Sequence, residues 1–126
     1  MDITFKKTRG YNWCSFNIEP ITLEDLFKDL PKPTTLYPGR QDSGLFITTQ
    51  SGIVTWQLAS STIFGQQPAK WSSNITIDYK ESYIIHLHTD VDITIRNLKK
   101  VPENLILNLD KAFNWIGYFG PDNLNI

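Results

Sequence analysis

Residues 83–95 read YIIHLHTDVDITI, and the way this stretch pairs decides the fold. Both histidines of the chain, His86 and His88, lie in it two apart, followed by Asp90 and Asp92 at the same spacing. Tyr83, Ile85 and Leu87, then Val91, Ile93 and Ile95, recur at the period of a half-buried strand. Unbroken, residues 83 to 96 would span about 46 Å at roughly 3.3 Å per residue, too long for a domain of this size. The chain is therefore expected to turn in the middle.

Three-residue loops at Lys80-Glu81-Ser82 and His88-Thr89-Asp90 keep every aliphatic side chain on one side, whereas a two-residue loop at Thr89-Asp90 would oppose Leu87 to Asp92. The spacing thus predicts an antiparallel meander over residues 74–96. Its odd-numbered side chains form the core face; Thr76, Asp78, Ile84, His86, Asp92, Thr94 and Arg96 form the wet one. His86 then faces Asp92 as a solvated cross-strand pair, worth roughly 0.2–1 kcal/mol. His88 falls in the turn.

A catalytic zinc needs three protein ligands. No third histidine exists, so Asp90, Asp92 or Cys14 would have to complete a set, and neither metal nor other cofactor is expected. His86-Leu87-His88-Thr89 is similar to the first motif of the polymerase-and-histidinol-phosphatase metal-dependent phosphoesterases. The similarity ends with those residues; the family's further histidines and carboxylates have no counterparts here, and we treat it as coincidence. Two histidines can also act as acid and base in a small phosphodiesterase or nuclease. Only Lys80 and Arg96 lie near enough in sequence to hold a phosphate.

The rest of the chain supplies the setting. At 126 residues, 40% hydrophobic and 13% aromatic, it suits one domain with one core, spanning 1–126. A net charge of −1 offers no basic surface for a phosphate backbone, so no nucleic-acid partner is expected. One cysteine, Cys14, makes no intrachain disulfide. No apolar run is long enough for a bilayer span, and MDITFKKTRG lacks the apolar centre of a signal peptide. The expectation is a cytoplasmic protein with no membrane association.

Ile3 and Phe5 mark a first strand; Trp13, Cys14, Phe16 and Ile18 mark a second, with a turn at Gly10. In ITLEDLFKDLP, residues 21–31, Thr22 is an N-cap, Leu23, Leu26, Phe27 and Leu30 follow helical spacing, and Pro31 is the stop. Residues 31–44 form a long loop with a type II turn at Pro38-Gly39. LFITTQSGIVTWQL reads as a hairpin turning at Ser51-Gly52, with Leu45, Ile47, Val54, Trp56 and Leu58 on one face. Residues 59–73 form a second irregular segment. A second helix is predicted over 99–120, with Leu105, Leu109, Ala112, Phe113 and Ile116 as its apolar stripe.

The fold class expected from these elements is α+β, a mainly antiparallel sheet of about six to seven strands with two helices packed on one face. The function expected is a non-enzymatic protein-binding module of the immunity or inhibitor type that neutralises a protein partner. That expectation rests on size and class; no motif carries it. Its contact residues are taken from the loops and the wet face of the meander: Tyr37, Arg40, Phe64, Lys70, Trp71, His86, Asp92 and Arg96, among them the Tyr, Trp and Arg that most often anchor interfaces. A small-molecule or carbohydrate-binding module using Tyr37 and Trp71 is the second reading, and an enzyme using His86 and His88 the third.

Overall fold

The computed structural model describes residues 2–96 and Leu98, and in it the 83–95 stretch does not fold back on itself. The strands are β1 (Ile3–Lys7), β2 (Gly10–Ser15), β3 (Ile21–Thr22), β4 (Phe46–Thr49), β5 (Gly52–Gln57), β6 (Ser60–Thr62), β7 (Gly65–Gln67), β8 (Lys70–Trp71), β9 (Thr76–Ile77), β10 (Ser82–Leu87) and β11 (Val91–Ile95). A short helix, α1 (Leu23–Leu26), follows β3 directly. The main sheet runs β2-β10-β4-β5-β8, and β1 pairs with β11, β3 with β9 and β6 with β7.

The predicted meander is therefore replaced by long-range pairing. β9 lies beside β3, β10 lies between β2 and β4, and β11 lies beside β1. The expected core face survives: Ile77, Tyr83, Ile85, Leu87, Val91 and Ile95 are all buried. Alternation specifies which side of a strand is apolar; it does not specify which strand lies next to it.

β1 and β2 form one ribbon with β11 and β10, interrupted once. Lys7 is opposite Val91 and Gly10 is opposite Leu87, so Thr8 and Arg9 on one side face His88, Thr89 and Asp90 on the other. The extra residue makes a β-bulge, and the Arg9 N–H donates to Asp90 Oδ1 across it at 2.8 Å. Its effect on the faces is large. Carried on without that residue, the β1–β11 register would set Ile85 opposite Trp13 and Leu87 opposite Tyr11. The observed register sets Ile85 opposite Asn12 and Tyr83 opposite Cys14, which turns Tyr11 and Trp13 to the outside.

The α+β expectation is overturned. Of the described residues 48% are strand and 4% helix, with no helix of 7 or more residues. Thr22 does cap α1, accepting from the Asp25 N–H at 3.3 Å. The helix nevertheless ends well before Pro31, because Phe27 leaves helical geometry (φ −108°, ψ 24°) and Leu30 N–H closes a tighter turn onto the Phe27 carbonyl. Pro31 has no N–H to offer that carbonyl; the Lys32 ammonium donates to it at 2.7 Å and to the Leu30 carbonyl at 2.8 Å. The apolar stripe is buried as expected, but as a turn. Phe27 meets Phe5 edge-on at 5.4 Å, and Phe16 lies 6.3 Å from both. The second predicted helix lies outside the described residues.

Two smaller corrections follow from turn chemistry. The β4–β5 hairpin turns at Gln50-Ser51, since Thr49 is opposite Gly52. This slides the predicted register without changing its faces, and Ile47 and Val54 are buried together. Residues 59–73 are more regular than expected and contain the β6–β7 hairpin and β8. Within the 31–44 loop the turn at Pro38-Gly39 has the predicted form, with Gly39 at φ +82° and the Arg40 N–H donating to the Tyr37 carbonyl. Among the described residues no helix is long and apolar enough to cross a membrane.

Candidate functional site

The register of the main sheet gives its outer face directly. One rung runs Tyr11, His86, Phe46, Thr55; the next runs Trp13, Ile84, Thr48, Ile53. Tyr11 is 63% exposed, Trp13 68% and Ile53 63%, so large apolar side chains meet solvent on the face opposite the core. The inner side chains of the same central strand, Tyr83, Ile85 and Leu87, are almost completely covered.

His86 anchors the upper rung. It was expected to be solvated opposite Asp92; it is 4% exposed and faces Tyr11 and Phe46 instead. Its ring stacks on Phe46 at 4.8 Å and meets the edges of Tyr11 at 4.6 Å and Tyr37 at 5.1 Å. Nδ1 lies 2.6 Å from the Gly44 carbonyl oxygen. A carbonyl can only accept, so Nδ1 carries the hydrogen. The imidazole is thereby spent on closing the 31–44 loop over the sheet.

That loop frames the face with cations. The Arg40 guanidinium lies 4.7 Å from the Phe46 ring centre, and Arg9 lies 4.6 Å from the Tyr37 ring while its Nε donates to the Tyr37 hydroxyl at 2.6 Å. Arg40 grips Asp42 through two bonds, Nε to Oδ1 at 3.0 Å and Nη2 to Oδ2 at 2.9 Å. The Asp42 carboxyl is held below its ordinary pKa, first by Arg40 and then by the Gly44 N–H, against the opposing effect of burial. Gly44 is required twice: its φ is +78°, and a Cβ there would lie 2.4 Å from Tyr37 Cδ2.

The predicted contact residues thus divide. Tyr37, Arg40 and His86 come together. Asp92 faces Lys6 at 3.8 Å and Arg96 faces Asp2 at 3.6 Å on the β1–β11 ribbon, as exposed ion pairs of small energetic weight. Phe64 stands at the tip of the β6–β7 hairpin. Lys70 is exposed on β8, but its neighbour Trp71 is 6% exposed and packs edge-on against Trp56 at 5.5 Å, so Trp71 is a core residue and leaves the contact surface. Arg9, Tyr11, Trp13, Phe46 and Ile53 were missed. A signal for two of them was present: Cys14, Phe16 and Ile18 already supply an even-numbered core face, which forces Tyr11 and Trp13 outward.

His88 sits in the bend after β10, within the bulge of a continuing ribbon and not in the reversing turn expected of it. Burial lowers its pKa, with Lys32 adding to the effect, and its Nδ1 is buried with no hydrogen-bond partner among the described residues. His86 and His88 do not converge, and among the described residues no three His, Cys, Asp or Glu side chains gather as a metal site. No family model matches the chain, no curated protein matches it, and no solved structure matches its fold.

Proposed function

We propose that this chain is a protein-binding module and that the outer face of the main sheet is its contact surface. The observation that carries the reading is the exposure of Tyr11, Trp13 and Ile53 on one face, each above 60%, with Arg9 and Arg40 at its margin. Contiguous exposed apolar area of this kind marks interaction sites, and Trp, Tyr and Arg supply most interface hot spots. The surface is a sheet face on which the exposed Tyr11 ring stands at 74° to the buried Phe46 ring, so these two do not frame a cleft of parallel rings. That arrangement favours a protein over a stacked sugar or other small ligand. Neutralising a partner by occlusion needs no chemistry beyond such a face.

The test is affinity capture from the native source, followed by titration of the purified partner against the wild type and the Tyr11→Ser, Trp13→Ser double variant. A loss of at least about 30-fold, with the variant still folded in a cooperative melt, is the expected result for a hot-spot pair. Equal affinity of the two proteins would overturn the reading.

A further inference from the structure

Among the described residues two hairpin turns share one construction. In the β4–β5 turn Thr49 pairs with Gly52 around Gln50-Ser51; in the β6–β7 turn Thr62 pairs with Gly65 around Ile63-Phe64. In each, the threonine Oγ1 donates to the glycine carbonyl, at 3.1 and 3.2 Å. In each it also accepts from the N–H of the second loop residue, Ser51 at 3.1 Å and Phe64 at 3.2 Å. The closing glycines have φ +147° and +115°. Threonine and glycine therefore make the turn, and the two residues between them are free to vary. The first turn carries the polar pair that water favours. The second carries Ile63 at 93% and Phe64 at 90% exposure.

Neither side chain serves the hairpin that bears it. All of Ser60–Thr62 and Gly65–Gln67 are exposed, so the hairpin stands out from the main sheet with an apolar tip. From Leu58 through Ala69 there is no charged residue, and the flanks are Ser60, Ser61, Gln66 and Gln67. An uncharged, hydrogen-bonding shank behind an apolar tip matches the polar rim and apolar centre of a protein interface. It lacks the cations that would reinforce two apolar side chains at a lipid surface, where one weak anchor binds only marginally.

We propose that the Thr62–Gly65 tip is a preformed wedge that seats Ile63 and Phe64 in an uncharged apolar cleft of a protein partner. The turn bonds hold the pair in place before contact, which spares ordering cost on binding. The proposal rests on the protein-binding reading for the class of partner only; it uses a different surface.

The experiment places a photo-cross-linking benzoylphenylalanine at position 64, at position 13 on the sheet face, and at position 50 in the sister turn as a control. Each is irradiated in extract of the native source. The expected result is one protein cross-linked from 64 and not from 50, which once purified binds the Ile63→Gln, Phe64→Ser variant at least about 30-fold more weakly than wild type. That variant copies the sister turn, so its fold and thermal stability are expected to be unchanged. Cross-linking from 13 alone overturns the wedge and leaves the sheet-face reading standing; cross-linking from 64 alone does the reverse. Signal from neither above the position-50 background overturns both. Cross-linking of 64 to a second copy of this chain overturns the wedge. So does a blue shift of a Phe64→Trp variant on phosphatidylcholine–phosphatidylserine vesicles.

Discussion

The two faces of β10 belong to one strand and behave as different materials. Tyr83, Ile85 and Leu87 are sealed in the core with the Phe5–Phe16–Phe27 cluster, while Ile84 and His86 lie in adjacent rungs whose β2 members, Trp13 and Tyr11, stand in solvent. Hydrophobicity alone does not separate them, since both faces are rich in apolar side chains. What separates them is closure. The inner face has a second layer over it; the outer face has the 31–44 loop over His86 and Phe46, through Tyr37, Gly44 and Arg40, and leaves Tyr11, Trp13 and Ile53 exposed. An apolar face that the fold leaves open is where a partner can supply the missing layer.

The comparison breaks most visibly from the inside. Leu87→Ala, at a side chain with no exposure, is expected to cost about 2–5 kcal/mol in urea unfolding, the range for a truncated core leucine. A cost below about 1 kcal/mol, the level of an ordinary surface change, would mean that the inner face is not the core. At the boundary between the faces, Gly44→Ala is expected to cost about 1–3 kcal/mol, because it adds a positive-φ alanine and drives a Cβ into Tyr37. Gly39→Ala is the control: φ is +82° there too, but nothing lies within 4 Å of the added Cβ, so its effect should be the smaller of the two.

His86→Phe separates shape from hydrogen bonding. The ring can still stack on Phe46, but the buried Gly44 carbonyl loses its donor at 2.6 Å, for an expected cost of about 1–2 kcal/mol. A neutral outcome would show that His86 is held by packing and that the loop is not tied through it.

How much of this could be read from the residues alone depends on which physical rule applied. Faces were legible wherever period-two alternation ran unbroken, as from Tyr83 to Leu87, because pleat geometry is local. The Thr22 cap and the Pro38-Gly39 turn were legible for the same reason. Partners were not. Nothing local in YIIHLHTDVDITI says that Leu87 lies opposite Gly10, and the length argument that imposed a reversal missed that a bulge lets one ribbon bend and run on. The site followed the partners. Tyr37 and Arg40 were named as loop residues and His86 as a wet-face residue, and only the loop closure brings the three together; Tyr11 and Trp13 were hidden by a register that one extra residue changes. Trp71 was misjudged because a loop-like sequence, ASSTIFGQQPAKW, ends in a two-residue strand that returns to β5.

Acid provides a gentler probe of the inner side. Burial and Lys32 lower the His88 pKa in the folded chain, so the unfolded chain takes up the proton first. Stability should therefore fall as pH drops below the unfolded value of about 6.5 and level off once the folded histidine is also protonated. His88→Gln should flatten that part of the melting-temperature profile. A profile with the same slope in the variant would assign the acid sensitivity to the carboxylates.

The smallest expected effect on stability tests the outer face most sharply. Trp13 belongs to β2, the end strand of the main sheet, and its side chain is 68% exposed. Trp13→Ser should change unfolding by no more than about 1 kcal/mol, because most of its side chain is already in solvent in the folded chain. A core tryptophan would cost about 3–5 kcal/mol on truncation, so the two cases are far apart. If Trp13→Ser costs more than about 1 kcal/mol, the outer face is part of the folded layer and the protein-binding reading loses its main support. If it costs almost nothing in folding and removes partner binding, then the bulge at residues 88–90 has a functional consequence. By adding one residue to the ribbon it turns an aromatic strand away from the core and makes it available to another protein.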